Sequence, residues 1–194
     1  KQIAVTDVVL PDTVTSIGAH VFENNTMIES ITIGKNVTTI GDNAFYRCTG
    51  LKTITFEAGG TEDLQLGEYV FSGCANVSSI ALPERVKELS AYAFYLNGGL
   101  TSVQFGSQLT KIGAYSLAGT GLPEIVIPGS VTEIEAYAFD NCTALTKAEF
   151  PASMKTISSS IFSNCNALSE VIIPEGVETI GDFAFEWCVA LEEI

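Results

Sequence analysis

The chain has 194 residues, 46 % of them hydrophobic and only 16 % charged, and its mean hydropathy of +0.31 supplies a packed core and excludes an intrinsically disordered chain. Nine Lys and Arg against 23 Asp and Glu give a formal net charge of -14, the wrong sign for holding a phosphate backbone, so nucleic acid is not an expected partner. Apolar runs such as Ile125-Val126-Ile127 and Val171-Ile172-Ile173 stop at Pro128 and Pro174, far short of the roughly 20 residues of a membrane span.

From its first strand onward the chain repeats itself. Phe22, Phe45, Phe71, Phe94, Leu117, Phe139, Phe162 and Phe185 follow one another at spacings of 23, 26, 23, 23, 22, 23 and 23 residues. Three more columns keep the same period. One runs from Ile28 and Leu51 to Leu168 and Leu191, another from Val8 and Ile31 to Val171 and Ile194, and a third from Leu10 and Ile33 to Ile173. Within one unit, Leu168-Ser169-Glu170-Val171-Ile172-Ile173-Pro174 reads as a short strand stopped by a residue that cannot donate to a ladder. Val177 and Ile180 form a second apolar pair three apart, and Gly181 is expected to allow a sharp turn before Phe183-Ala184-Phe185. One such coil cannot bury its own apolar face. Stacked at about 4.8 Å, the coils share a continuous core with parallel sheet along it. The expected fold is therefore a single repeat solenoid over residues 1–194. It has eight units and a truncated ninth, built of parallel strands joined by turns or short helical segments.

The composite Leu-x-x-Ile-x-Ile-Pro-x-x-Val-x-x-Ile-Gly-x-x-Ala-Phe-x-x-Cys resembles the BspA-type leucine-rich repeat family. The pattern is clear from Leu122 through Pro128, Val131, Ile134, Ala138 and Phe139 to Cys142, and again from Leu168 to Cys188. The resemblance covers about residues 5 to 194. It implies a secreted or surface-attached protein, bacterial in many cases, that adheres to host proteins or other cells.

In chain order, the first candidate for chemistry is His20, the only histidine. Neighbouring Thr15 and Ser16 occupy places that other units also fill with hydroxyl residues, so no nucleophilic constellation is expected there. The third unit is three residues longer, and the extra length falls in the acidic segment Glu57-Ala58-Gly59-Gly60-Thr61-Glu62-Asp63, expected to be a solvated loop, with a hard-cation site on Glu57, Glu62 and Asp63 as the alternative. Asn24, Asn36, Asn76 and Asn141 stand in Asn-x-Ser/Thr sequons that a Thr-rich repeat produces by chance.

Two places before the ladder residue stand His20, Asn43, Tyr69, Tyr92, Tyr115, Tyr137, Ser160 and Phe183. Four consecutive tyrosines on four coils make a candidate ligand-binding stripe about 15 Å long, suited to an extended peptide or sugar chain. The outward places of the strands, such as Ser30-Thr32, Thr53-Thr55 and Thr101-Ser102-Gln104, form a second, hydroxyl-rich face. The fifth unit is one residue short and has Leu117 and Thr120 where others have Phe and Cys, so a change of curvature and low local stability are expected there.

Cys48, Cys74, Cys142, Cys165 and Cys188 each follow the ladder residue by three, and Asn25, Asn97 and Thr120 take that place elsewhere. All these side chains can donate a hydrogen bond to a neighbouring carbonyl. Parallel Cβ vectors at coil spacing suit neither a disulfide nor a tetrahedral metal site, so free thiols are expected and no metal or cofactor. Carboxylate pairs such as Glu133 with Glu135 or Glu192 with Glu193 are not placed across a cleft. Leu191-Glu192-Glu193-Ile194 enters a ninth strand without a polar cap, so the chain is expected to be a segment of a longer protein, or its last coil to be completed by an oligomer contact. Together the readings point to a non-enzymatic extracellular module that binds a protein or glycan, with a structural spacer that binds nothing as the alternative.

Overall fold

The structure is a computed structural model that describes residues 6–192. Ile194 and Glu193, which close the column and the carboxylate pair named above, lie outside the described residues. Every coil contributes one longer and one shorter strand. The longer ones are β1 (Asp7–Val9), β3 (Ser30–Ile33), β5 (Thr53–Phe56), β7 (Ser79–Ala81), β9 (Ser102–Gln104), β11 (Glu124–Val126), β13 (Lys147–Glu149) and β15 (Glu170–Ile172). The shorter ones are β2 (Ser16–Ile17), β4 (Thr39–Ile40), β6 (Gln65–Leu66), β8 (Glu88–Leu89), β10 (Lys111–Ile112), β12 (Glu133–Ile134), β14 (Thr156–Ile157) and β16 (Thr179–Ile180). All pairings are parallel and in repeat register, as in Val8 with Ile31 with Ile54, or Ile125 with Ala148 with Val171. This is the expected solenoid of about eight 23-residue coils. The short helical segments do not form among the described residues, because the stretch between the shorter strand and the next longer one is taken up by tight turns.

Those turns have a common cause. The place two before the ladder residue has positive φ in every coil: His20, Asn43, Tyr69, Tyr92, Tyr115, Tyr137, Ser160 and Phe183 lie between 53° and 61°. The place two after it does as well, with Asn24, Arg47, Gly73, Leu96, Gly119, Asn141, Asn164 and Trp187. Two left-handed residues four apart reverse the chain twice and prevent a helix. The sharp turn assigned to Gly181 therefore belongs to Phe183, at φ 58°. Gly181 serves close stacking instead, since a Cβ there would lie 2.5 Å from the Ser159 backbone nitrogen, and one at Gly41 would lie 2.5 Å from that of Ala19.

The ladder side chains run through the centre. Phe45, Phe71, Phe94, Leu117, Phe139 and Phe162 are fully buried, and Phe22 and Phe185 are half-buried in the first and last described coils. Neighbouring rings stack at 5.0, 5.1 and 5.5 Å from Phe22 to Phe94 and at 5.3 and 6.0 Å from Phe139 to Phe185. Leu117 separates the two ring stacks.

The sheet of longer strands is interrupted twice, between β5 and β7 and between β9 and β11. These are the places where the repeat length departs from 23. At the second, Pro123 occupies the position whose N–H in other coils donates to the preceding coil, as Thr101 does to Ser78 and Thr146 does to Pro123. Pro123 has no N–H to give, so the ladder stops there.

The insertion of the third coil folds down on Gly59 and Gly60, both at positive φ, against the Lys35 backbone. Beneath it Arg85, 7 % exposed, reaches back two coils and donates to the carbonyls of Val37 and Gly34. The guanidinium thus ties the fourth coil to the second where the third loops out. Nothing in the repeat pattern marked Arg85 for this place, because other coils have no equivalent.

Candidate ligand-binding surface

The left-handed position before each ladder residue turns its side chain onto one flank of the solenoid. On coils three to six that side chain is tyrosine. The rings of Tyr69 and Tyr92 lie 4.3 Å apart with planes at 7°, Tyr92 and Tyr115 at 4.9 Å and 4°, and Tyr115 and Tyr137 at 4.7 Å and 3°. Tyr69, Tyr92 and Tyr115 are half-buried and Tyr137 is 36 % exposed. On the next coil Ser160 is buried, which ends the row.

Two tyrosines outside the column join it. Tyr46 stands edge-on to Tyr69 at 6.3 Å, and Tyr95 stands edge-on to Tyr92 at 5.4 Å and to Tyr115 at 6.3 Å. All six tyrosines of the chain therefore form one patch. Tyr46 and Tyr95 each follow a ladder residue by one, a position filled with Glu, Ser, Ala or Asp in other coils, so no column announced them. Arg47 places its guanidinium 5.1 Å from the centre of the Tyr46 ring, and the exposed Leu96 extends the patch beside Tyr95.

Burial pushes the Tyr69 hydroxyl to higher pKa, with help from Tyr92, and burial does the same for Tyr115 between Tyr137 and Tyr92. Both shifts favour the neutral phenols of Tyr69 and Tyr115. Side-chain bonds between coils come instead from residues such as Asn76, Ser90, Asn97 and Thr101.

The face of the longer strands is a different surface. Toward the first coils it carries hydroxyls, with Ser30 donating to Asp7 at 2.6 Å and holding that carboxylate below its usual range. Toward the last coils it carries the Lys147–Glu170 pair at 2.6 Å with exposed Val126 and Ile172. Its charges largely pair with each other, as Lys52 does with Glu29 at 2.9 Å.

The remaining candidates are engaged in the coil. His20 is exposed and contacts its own-turn Glu23 at 2.7 Å. Glu57 accepts the Lys35 N–H and Asp63 pairs with Lys87 at 2.7 Å, so the acidic loop does not gather its carboxylates. Among the described residues no three His, Cys, Asp or Glu side chains converge as metal ligands. The five thiols are free and buried. Each Sγ donates to the ladder carbonyl one coil back, from Cys48 to Phe22 at 2.9 Å through Cys188 to Phe162 at 3.2 Å, and Asn97 does the same to Phe71 at 3.0 Å. Thr120 departs from this by donating within its own coil to Leu117, and Asn25 by accepting the Met27 and Ile28 N–H groups.

The family profile described as BspA type leucine rich repeat region matches residues 1–121 and 110–194, in six copies. No curated protein matches the sequence. The chain is similar to the solved leucine-rich repeat protein of T. pallidum, TpLRR, at 24 % identity over 96 % of this chain and 78 % of that one, with a TM-score of 0.66. A leucine-rich repeat protein from Eubacterium ventriosum is 28 % identical over 96 % of this chain and 54 % of its own, with a TM-score of 0.65. The pneumococcal vaccine antigen PcpA is 21 % identical over 97 % of this chain and 60 % of its own, with a TM-score of 0.68. Identities below 25 % carry the likeness of fold and no more. No helix among the described residues is long and apolar enough to cross a membrane.

Proposed function

Because the chain belongs to the BspA-type leucine-rich repeat family, we propose that it is a non-enzymatic binding module, secreted or displayed at a cell surface, that adheres to a protein or glycan through its tyrosine patch. The observation that carries this reading is the concentration of all six tyrosines on one flank, four of them in a continuous row. Tyrosine gives large, rigid, amphipathic contact area at little entropic cost, and anchors of this kind dominate interface energies. Polar side chains such as Asn76, Ser90, Asn97 and Thr101 are used to hold neighbouring coils together, which leaves the tyrosine patch as the stronger candidate surface.

The test is a host-protein and glycan array probed with this chain and with a Tyr92→Ala, Tyr115→Ala variant whose fold is checked by circular dichroism. The variant is expected to lose binding, whereas neutralising Glu62 and Asp63 leaves it nearly unchanged. Equal binding by the variant and the parent moves the site to the face of the longer strands. If no ligand is found, a spacer without a ligand of its own becomes the better description.

A further inference from the structure

This inference rests on the tyrosine patch being the binding surface, and it names the ligand. The stacking restricts what the row can hold. Tyr92 and Tyr115 have a neighbour against both faces, with planes within 7° of parallel. Tyr46 and Tyr95 stand perpendicular to the same stack. A sugar ring needs an open aromatic face, and the interior of the row offers none. What remains are ring edges, the positive side of the aromatic quadrupole, and phenol hydroxyls able to donate. Both favour a ligand rich in acceptors.

The period narrows the choice. A polyproline II chain rises about 3.1 Å per residue and turns every three, so it repeats every 9.3 Å or so. Two steps of the row, 4.3 and 4.9 Å from Tyr69 to Tyr115 or 4.9 and 4.7 Å from Tyr92 to Tyr137, span one such turn. An extended β-strand repeats each edge at about 6.7 Å, out of step with either one or two rings. The polyproline II backbone makes no internal hydrogen bonds, and proline has no N–H, so its polar groups are free carbonyl acceptors.

Charge complementarity fixes the flanks. Exposed Glu68 precedes Tyr69, and half-buried Asp140, which accepts from Asn164 at 3.2 Å, acts on Tyr115 at the other end. The cation at this edge, Arg47, is engaged on Tyr46. We propose that the tyrosine row binds a proline-rich polypeptide in the polyproline II conformation, with basic residues flanking the prolines and phenols two coils apart donating to carbonyls three residues apart.

The experiment is a fluorescence anisotropy titration of this chain with a labelled, end-blocked peptide of six prolines flanked by lysines. Parallel arms use the same prolines flanked by glutamates, a Gly-Ser peptide of equal length flanked by lysines, and a labelled cello-oligosaccharide. Saturable binding of the lysine-flanked proline peptide is expected, at least about tenfold tighter than the glutamate-flanked one, with the Gly-Ser peptide and the sugar silent. Tyr92→Phe with Tyr115→Phe keeps the rings and removes two donors, and should weaken binding about tenfold. No binding of the proline peptide, equal binding of the Gly-Ser peptide, or no effect of the Phe variant overturns the inference. If the proline peptide fails while an array ligand still depends on Tyr92 and Tyr115, the ligand class is wrong and the site stands. If no array ligand depends on them, both fail.

Discussion

Cys165 Sγ donates to the Phe139 carbonyl of the preceding coil at 3.1 Å, and that carbonyl also receives the Cys142 N–H of its own coil at 3.4 Å. One buried carbonyl thus joins the turn of a coil to the next coil. The relationship repeats along the column, which explains why residues as different as Cys and Asn share it.

Isosteric substitution separates the donor from the volume. Cys165→Val removes the donor and Cys165→Thr keeps one, so the Val variant should be about 1 kcal/mol less stable than the Thr variant in urea titration. Equal stabilities would mean that the column serves packing alone.

The thiols should also be protected. Contact with Cys142 and burial together hold the Cys165 thiol well above the ordinary range, and burial raises that of Cys188. All five should react with a thiol reagent in denaturant under non-reducing conditions, and few in the native protein. A Cys165–Cys188 bridge found by mass spectrometry would contradict the parallel column.

The ring stack predicts unequal costs. Phe139 is fully buried and stacks on Phe162 at 5.3 Å, so Phe139→Ala should cost about 3 to 5 kcal/mol. Leu117→Ala removes fewer atoms at a site that already lacks ring partners and should cost less. A loss below about 1 kcal/mol for Phe139→Ala in denaturant titration would contradict a core built on these rings.

Lys111 sits 2.6 Å from Glu135 and 3.2 Å from Glu133. The Lys111 bond holds Glu135 below its ordinary value of 4.5, and the Glu135 bond raises Lys111 above its ordinary 10.5. A depressed carboxylate stabilises the fold above its unfolded pKa and loses that contribution as pH falls through the lower folded value. The raised lysine contributes below about 10.5 and loses its share as pH rises further. Lys111→Met should therefore be less stable than the parent near pH 7, with the gap closing as pH drops from 5 toward 3. A gap that does not change with pH would assign the lysine a packing role only.

Periodicity was enough to read the coils, because apolar side chains recur wherever a strand meets the core. It left Arg85, Tyr46 and Tyr95 unread, since each answers to one coil rather than to a column. Arg85 answers to an insertion a coil earlier in the chain, and the two tyrosines to rings on neighbouring coils. The role of Gly181 was misread for a related reason. A column of glycines suggests a turn, whereas the distance of a would-be Cβ to Ser159 shows that the constraint comes from the coil stacked on it. Of the two columns that do hold left-handed backbone, the one before the ladder residue is filled with Tyr, His, Asn, Ser and Phe, and so carried no recognisable sign of it.

That last column makes a prediction of its own. Tyr115 has φ 54°, a conformation that Asn and Gly adopt at little cost and that β-branched residues resist. Four tyrosines held there are evidence that their rings contribute something the backbone does not. Each ring contact is worth about 0.5 to 1.5 kcal/mol, and Tyr115 has one on either side, at 4.9 and 4.7 Å. Tyr115→Asn loses both contacts and relieves backbone strain, so its net cost should be small, up to about 1 kcal/mol. Tyr115→Val loses the same contacts and adds strain of about 1 to 2 kcal/mol. Urea titration of the two variants isolates the backbone, because neither replacement can stack on Tyr92 or Tyr137. If Val is tolerated as well as Asn, the left-handed turn is not what positions the row, and the ring stack must hold the turn rather than the reverse.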